Sequence, residues 1–169
     1  MPSATPAGHP ADDPAVRDAL IADLDPRTLY RILALRSAVF VLEQDCVYLD
    51  QDGRDLEPDA RQLWVERDGE VLATLRLLRD RSAATPAAEG GAGTARIGRV
   101  ATAKSARGAG FAANLMRRAL ELAGDGPIVL DAQSYLADWY ARFGFVRDGA
   151  DFIEDGIPHI PMRRPAVER

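Results

Sequence analysis

Apolar and polar positions change their spacing along the chain, and these changes predict where its strands lie. Residues 62–67 and 70–78 are rich in β-branched and apolar side chains and flank Asp68-Gly69, which predicts a β-hairpin. Shorter apolar runs bounded by turn residues predict further strands at 19–24, from residue 96 onward, at 128–133, at 145–146 and in a closing pair over 152–162.

Apolar residues three and four positions apart predict helices between these strands. The first helix opens at Asp25-Pro26, where the aspartate caps the amides and proline fits the first turn. The second begins near Gly110 and ends at Gly124, which is followed by a proline. The third ends at Gly144, and its apolar face consists of Leu136, Trp139, Tyr140 and Phe143. This alternation of strands and helices indicates a mixed α/β domain.

Two segments lack any regular pattern. Residues 1–17 are rich in Pro and Ala and lack the basic start and apolar run of a secretory signal, so we expect a disordered tail before a single domain over 18–165. Residues 79–94 are rich in Ala, Pro and Gly, which predicts a mobile loop. No apolar stretch approaches the length that spans a membrane.

Composition narrows the functional classes. The 169 residues are 47% hydrophobic, which suits one domain with a substantial core. A formal charge of −5 argues against nucleic-acid binding. Cys46 is the single cysteine, so neither an intrachain disulfide nor a cysteine metal cluster forms, and we expect a cytoplasmic protein without a bound metal.

The segment Arg107-Gly108-Ala109-Gly110 joins a predicted strand to the second helix and is the strongest candidate for a binding site. Unpaired amides and the helix dipole attract anions at a helix N-terminus, and glycines admit them closely. No Lys-Ser or Lys-Thr follows Gly110, so this is not a nucleotide P-loop. A third glycine three residues on is also missing, which excludes the dinucleotide fingerprint.

Residues 107–112 instead resemble the acyl-CoA loop of the GNAT acetyltransferase superfamily. Residues 139–145, with Trp139-Tyr140 before Gly144-Phe145, resemble the second signature of that superfamily. The segments 36–46, 52–56, 97–100, 132–133 and 154–159 are similar to the ElaA family of bacterial GNAT proteins, although Val47 replaces an expected proline. The resemblance implies a mixed central sheet flanked by helices, with acyl-CoA in a splayed cleft between its central strands.

The resemblance also implies an acetyl-CoA-dependent N-acetyltransferase and assigns roles to residues. Amides of residues 107–112 hold the pyrophosphate, and the backbone of residues 100–102 pairs with the pantetheine arm as a strand would. Gln133 contacts the cofactor from the far side of the cleft, and Tyr140 protonates the departing sulfur, unless Tyr140 is only a core aromatic. The residues assigned to the cofactor are Val100, Ala101, Thr102, Arg107, Gly108, Ala109, Gly110, Phe111, Ala112 and Gln133.

A proton acceptor is also needed, because an alkyl amine with a pKa of about 10.4 is charged at neutral pH. Glu43 is the first candidate, because an apolar helix end beside it predicts that it is partly buried, and Asp52 and Asp55 stand behind it. A surface or structural role is equally open for each carboxylate. His159 is the alternative through a water relay, although its flanking prolines favour a structural role.

The acceptor and two competing functions stay open at this point. The acidic segment 43–59 is either a solvated loop or a wall that attracts a cationic amine, carried by a small molecule or a peptide. Arg36, Val39, Phe40, Asp52 and Asp55 also resemble acyl-homoserine-lactone synthases, which share the fold. A non-catalytic acyl-CoA sensor is the other alternative. No pattern distinguishes a monomer from a homodimer.

Overall fold

The computed structural model describes residues 14–80 and 93–167. Its strands are β1 (Val16–Leu20), β2 (Arg61–Arg67), β3 (Glu70–Asp80), β4 (Thr94–Thr102), β5 (Ile128–Gln133), β6 (Val146–Arg147), β7 (Phe152–Glu154) and β8 (Ile157–Arg164). Its helices are α1 (Pro26–Arg36), α2 (Phe111–Ala123) and α3 (Ala137–Ala141), and α1 continues into a π-helical turn at Ser37–Glu43.

The strands form one mixed sheet in the order β1-β2-β3-β4-β5-β8-β6, with β7 paired to β8. Neighbouring strands are antiparallel except β4 and β5, which run parallel. This parallel pair has only two residue pairs in register, Ala95 with Ile128 and Arg96 with Val129. Beyond Arg96 the two central strands diverge, which confirms the predicted mixed sheet with a splayed cleft.

Local sequence accounts for the best-predicted elements. Asp68 and Gly69 have φ angles of 51° and 78°, as a primed hairpin turn requires, and they join β2 to β3. The Asp25 carboxylate accepts a hydrogen bond of 2.9 Å from the Thr28 amide and caps α1. Gly124, with a φ of 77°, ends α2. The predicted hairpin, helix cap and helix end are therefore confirmed.

Two apolar clusters hold helices against opposite faces of the sheet. The larger one packs α2 and α3 on the central strands and includes Leu115 and Met116, which are fully buried. The smaller one packs α1 on the hairpin through Ile32, Trp64 and Val71. The larger cluster thus packs against the strands on both sides of the cleft, and the smaller one packs against the adjoining hairpin.

Several predicted boundaries were wrong. β1 spans Val16–Leu20 rather than 19–24, because its pairing with β2 runs from Val16–Val65 to Leu20–Arg61, and it takes up two residues of the predicted tail. β3 extends to Asp80 and β4 begins at Thr94, so the two strands include both ends of the loop predicted over 79–94. The Asp80 carboxylate binds Arg54 and Arg96 and thereby holds the end of β3. The predictions for residues 1–13 and 81–92 lie outside the described residues.

The end of the chain also differs in detail from the prediction. The helix expected over residues 136–143 is only five residues of α3, with Leu136 in a 3-10 turn before it and Phe143 after it. The following strand, β6, is Val146–Arg147 and leaves Phe145 buried in the core instead. The spacing of apolar residues identified the buried side of this segment, but it did not predict that the helix is shorter than the apolar pattern.

Candidate functional site

A cavity of about 1000 Å³ lies where β4 and β5 diverge. It is lined by residues of the π-helical turn, β3, β4, β5, α3 and β8. A volume of this size is at the upper end of the range for small-molecule sites. Of the residues singled out from the sequence, the cavity is lined by Glu43, Asp52, Val100, Ala101, Thr102, Arg107, Ala112, Gln133, Tyr140 and His159.

One edge of the cavity is the N-terminus of α2. Gly108 and Gly110 both have a φ of +82°, and Gly110 precedes the helix without a capping side chain. The first helical hydrogen bond runs from the Asn114 amide to the Gly110 carbonyl, so the amides just after Gly110 have no acceptor within the helix. Phe111 and Ala109 border a second cavity beside the hairpin and are not among the residues that line the main cavity.

The wall next to this helix is the free edge of β4. Between the register pairs Arg76–Gly98 and Thr74–Ala101, two residues of β4 stand opposite one of β3, and Arg99 has a φ of 53°, which marks a β-bulge. Because β5 pairs with β4 only as far as Arg96, the backbone of β4 beyond that point faces the cavity instead of another strand. Val100, Ala101 and Thr102 line this stretch. Such an edge accepts an extended ligand that carries amide groups.

Tyr140 projects into the cavity from α3. Its residue is only 7% exposed, and its ring makes edge contacts with Trp139 and Phe145 at centroid distances of 4.8 and 6.3 Å. Burial raises the pKa of the phenol well above its usual value, so the hydroxyl keeps its proton at neutral pH. Among the described residues the hydroxyl has no hydrogen-bond partner. The ring is therefore part of the core while the hydroxyl remains free to donate.

Glu43 and Arg107 meet across the mouth of the cavity. The guanidinium of Arg107 donates a hydrogen bond of 2.8 Å to one oxygen of the Glu43 carboxylate, forms an ion pair of 2.7 Å with the other, and donates a hydrogen bond of 3.3 Å to the Thr102 carbonyl. The hydrogen bonds from Arg107 lower the pKa of Glu43, and the same pair raises the pKa of Arg107. We expected Glu43 to be partly buried, but it is exposed, because it is the last residue of the π-helical turn and lies at the surface. In this arrangement its carboxylate binds a proton weakly.

Asp52 and Asp55 belong to a buried network of charges. Arg76 binds both oxygens of Asp52 at 2.7 Å and Asp55 at 3.0 Å. The hydrogen bonds from Arg76 hold the pKa of Asp52 far below its usual range, despite partial burial. Burial raises the pKa of Asp55, but hydrogen bonds and charge from Arg36 outweigh it and the pKa is lowered. Neither carboxylate is placed to accept a proton near neutral pH.

The arginines of this network were not predicted as site residues. Arg36 is fully buried and donates to Asp50 at 2.8 Å and to Asp55 at 2.7 Å. Arg99, at the bulge of β4, is 2.7 Å from Asp50. A signal was present, because Arg36 lies four positions after the buried Ile32 on the inner face of α1. We refer to Arg36, Asp50, Asp52, Asp55, Arg76 and Arg99 as the arginine–aspartate network.

Gln133 and His159 lie side by side at the far wall. They are register partners on β5 and β8. The Gln133 amide exchanges hydrogen bonds of 3.1 and 3.5 Å with Gln44 and accepts one of 2.7 Å from the Tyr135 hydroxyl. His159 is 9% exposed, and its Nδ1 lies 2.8 Å from the Ile157 carbonyl oxygen. The amide of Gln133 thus ties β5 to the π-helical turn across the cavity.

Two further classes of site are absent from the described residues 14–80 and 93–167. No group of His, Cys, Asp or Glu in these ranges is arranged to hold a metal ion. None of the helices in this part of the chain is long and apolar enough to cross a membrane.

Sequence and structure comparisons point in one direction. The profile of a family described as "Acetyltransferase (GNAT) domain" matches residues 43–165. A UPF0039 protein of Mycobacterium tuberculosis is 49% identical over 159 residues, which cover 92% of this chain and 97% of that protein. Protein ElaA of Escherichia coli is 36% identical over 151 residues, or 87% of this chain and 94% of ElaA.

The solved structures agree. An acyl-CoA N-acyltransferase from Pseudomonas aeruginosa superposes with a TM-score of 0.78 at 42% identity, covering 89% of this chain and 99% of that one. The crystal structure of Escherichia coli ElaA also has a TM-score of 0.78, at 35% identity and the same coverage.

Proposed function

The chain belongs to the GNAT acetyltransferase family, and from this premise we propose that it transfers the acetyl group of acetyl-CoA to a primary amine on a small molecule or peptide. Membership of this family makes the protein an acyltransferase, and the family uses an acyl-CoA as donor. The resemblance to GNAT and ElaA proteins noted from the sequence is thereby confirmed. The acetyl donor, the amine acceptor and the roles of single residues are our proposals.

The start of α2 is the proposed pyrophosphate site. Helix amides without internal acceptors and the positive end of the helix dipole favour a phosphate there. Gly108 and Gly110 hold the left-handed conformation that exposes these amides, and no atom lies within 4 Å of a Cβ built on either. Arg107 adds a guanidinium, which binds phosphate oxygens in the fork geometry in which it now binds Glu43.

The free edge of β4 is the proposed site for the pantetheine arm. Backbone groups of residues 100–102 pair with its amides, and an amide near Val100 at the bulge donates to the thioester oxygen as negative charge develops there. The donor supplies an activated acyl group. Holding it against one strand edge places that group deep in the cavity, where orientation itself lowers the barrier.

Tyr140 is the proposed proton donor to the departing sulfur. A free thiol has a pKa of about 8.5, so its protonation assists the departure of the thiolate without being indispensable. Burial keeps the Tyr140 hydroxyl protonated, and the hydroxyl has no competing acceptor in the described residues. Gln133 is held by Gln44 and Tyr135 and borders the same site.

The charge of the acceptor is supported less directly. The acidic segment 43–59 favours a cationic amine, but Glu43, Asp50, Asp52, Asp55 and Glu57 already pair with arginines. Glu154 and Asp155, on the turn between β7 and β8, also line the cavity. We therefore propose that the amine enters near this turn. Selection among amines then depends on specific contacts in the cavity as well as on the charge of the amine.

One observation carries the proposal: open helix amides, a free strand edge and a tyrosine hydroxyl with no hydrogen-bond partner among the described residues border the same cavity. Isothermal titration with acetyl-CoA and CoA, followed by thiol-release assays with a panel of amines, tests it. We expect binding of both ligands and turnover with at least one amine. Absence of binding to either ligand would refute the proposal.

A pair of variants at Gly110 isolates the phosphate contact. Gly110→Ala introduces the strain of a side chain at a φ of +82° without adding charge, whereas Gly110→Glu adds the same strain and a carboxylate. We expect Gly110→Glu to bind CoA at least ten-fold more weakly than Gly110→Ala. Equal affinities would mean that no anion sits at this helix end.

A further inference from the structure

We propose that His159 accepts the proton of the incoming ammonium group, which deepens the function proposed above and rests on it. His159 came second to the carboxylates when only the sequence was considered. The geometry of the cavity reverses that order.

Four of the six carboxylates that line the cavity are already bound by arginines, the exceptions being Glu154 and Asp155. Arg107 contacts both oxygens of Glu43, through one hydrogen bond and one ion pair, and both oxygens of Asp52 accept hydrogen bonds from Arg76. Asp80 and Asp131 also line the cavity, and both are bound by Arg96. A carboxylate in such a pair gives up its arginine when it takes a proton, which makes it a weak base.

His159 presents the opposite situation. Its Nδ1 lies 2.8 Å from the Ile157 carbonyl oxygen, and because a carbonyl oxygen only accepts, Nδ1 carries the hydrogen. In the neutral ring the lone pair is therefore on Nε2. Among the described residues no donor binds Nε2. The stacked ring of Phe152, with centroids 5.6 Å apart and 23° between planes, fixes the orientation of the imidazole.

The position of His159 matches this role. It stands beside Gln133 in the register of β5 and β8, on the cavity side of the sheet, and borders the same cavity as Tyr140. β8 starts just after the turn at which we place the amine entrance. His159, two residues into β8, is therefore close in sequence to the proposed entrance.

The proton balance of the reaction closes with these two residues. One ammonium proton moves to Nε2 of His159 and leaves later to water, and the neutral amine then forms the C–N bond while the C–S bond breaks. Tyr140 gives its proton to the sulfur, and the second amine proton restores the Tyr140 hydroxyl. The sum is one amide, one free thiol and one released proton.

Glu154 is the competing base, because it is an exposed cavity residue on the same hairpin and no arginine among the described residues binds it. The matched set of variants is therefore His159→Asn, Glu154→Gln and Phe152→Leu. The Asn side chain keeps an N–H near the position of Nδ1 and removes Nε2, whereas Phe152→Leu removes the stacking but keeps the imidazole.

Each variant is assayed with acetyl-CoA and the best amine of the panel. We expect His159→Asn to lower kcat/KM by roughly 100-fold or more, the usual effect of losing a general base, with CoA affinity unchanged within about two-fold. Glu154→Gln and Phe152→Leu should stay within roughly ten-fold of the wild type, well short of that loss. Loss with Glu154→Gln and retention with His159→Asn would overturn the assignment.

A second acceptor separates proton removal from a structural defect. Hydroxylamine is already mostly neutral at neutral pH, so its acetylation does not need a base to the same extent. The defect of His159→Asn should shrink at least ten-fold with hydroxylamine. A defect of equal size with both acceptors would assign His159 a structural role and overturn the proposal.

The tautomer of His159 is tested independently of turnover. The chain has two histidines, so ¹⁵N-histidine labelling gives two ring systems, and His159→Asn identifies one of them. We expect a hydrogen on Nδ1 and a bare Nε2 in the neutral ring. A hydrogen on Nε2 would refute the inference even if acetyl-CoA binds and turns over, whereas failure of the wild type to bind CoA would refute the proposed function instead.

Discussion

The two faces of the sheet differ in their chemistry, because the α1 face adds a network of buried charges to its small apolar cluster. Under α2 and α3 the packing is apolar, with Leu115 and Met116 fully buried. On the α1 side, the arginine–aspartate network puts several charged groups below 10% exposure, including Arg36 at 0%. Apolar packing supplies stability, whereas buried ion pairs approximately offset their own desolvation. The comparison indicates that the charged face serves to fix the walls of the cavity.

Removing one member of the network should have the largest effect on stability. Asp55→Asn leaves Arg36 and Arg76 buried without their shared counter-ion, which costs about 3–5 kcal/mol of unfolding free energy by analogy with broken buried pairs. Urea denaturation at neutral pH measures this cost. A loss below about 1 kcal/mol would show that the charged face behaves like an exposed surface.

The same variant has a distinct pH dependence. The folded-state pKa of Asp55 lies below the ordinary value of 3.8, so its contribution is complete above that value and is lost as pH falls through the lowered pKa. The wild type should therefore lose stability on acidification below about pH 4, and Asp55→Asn should lose less over the same interval. Parallel curves for the two proteins would contradict the assignment of Asp55 as an ionised partner.

The matching change on the apolar face is Leu115→Ala. Leu115 is fully buried, so we expect a loss of about 2–5 kcal/mol from transfer and cavity formation. Unlike Asp55→Asn, this variant should show the wild-type pH dependence and unaltered CoA affinity at temperatures where it is folded. A changed affinity would mean that the apolar face also shapes the cavity.

Tyr140→Phe tests whether the hydroxyl of Tyr140, which borders the cavity at the apolar face, contributes to turnover. It keeps the ring and its contacts with Trp139 and Phe145, so stability should change by less than about 1.5 kcal/mol, as for volume-conserving changes. Turnover should fall roughly 10- to 100-fold, equivalent to about 1.4–2.7 kcal/mol in the barrier. Full activity would make Tyr140 a core aromatic only. If the protein is a non-catalytic sensor, neither form turns over.

The smallest effect is expected at the exposed pair across the cavity mouth. In the proposed binding mode Glu43 competes with the CoA phosphate for Arg107, so Glu43→Gln should tighten CoA binding by about two- to five-fold, the range of an exposed ion pair. The control is Glu57→Gln, which breaks the pair with Arg54 at the surface. Weaker CoA binding in Glu43→Gln would indicate that the pair supports the cofactor site rather than competing with it.

The sequence predicted those parts of the fold that depend on local chemistry. The Asp68-Gly69 turn, the Asp25 cap and the glycine ending α2 follow from residue conformations and were correct. The glycine-rich loop and the aromatic signature together identified the family. Each signature consists of a few consecutive residues, so it is recognisable in the sequence without knowledge of the fold.

What the sequence did not predict depends on contacts between distant segments. Arg36 and Asp55 are nineteen positions apart, and neither periodicity nor composition pairs them. The carboxylate of Glu43 was expected to be partly buried, and only the fold shows that the π-helical turn brings it to Arg107. The tautomer of His159 likewise follows from a hydrogen bond within β8 that the flanking prolines did not reveal.

The short pairing between β4 and β5 has a consequence for solubility. A strand edge with unpaired amides is a template on which other chains add strands and aggregate. Here that edge lies inside the molecule, at the bottom of a cleft between two strands of one sheet. The protein thus has an unpaired edge of β4 that is shielded from strands of other polypeptides.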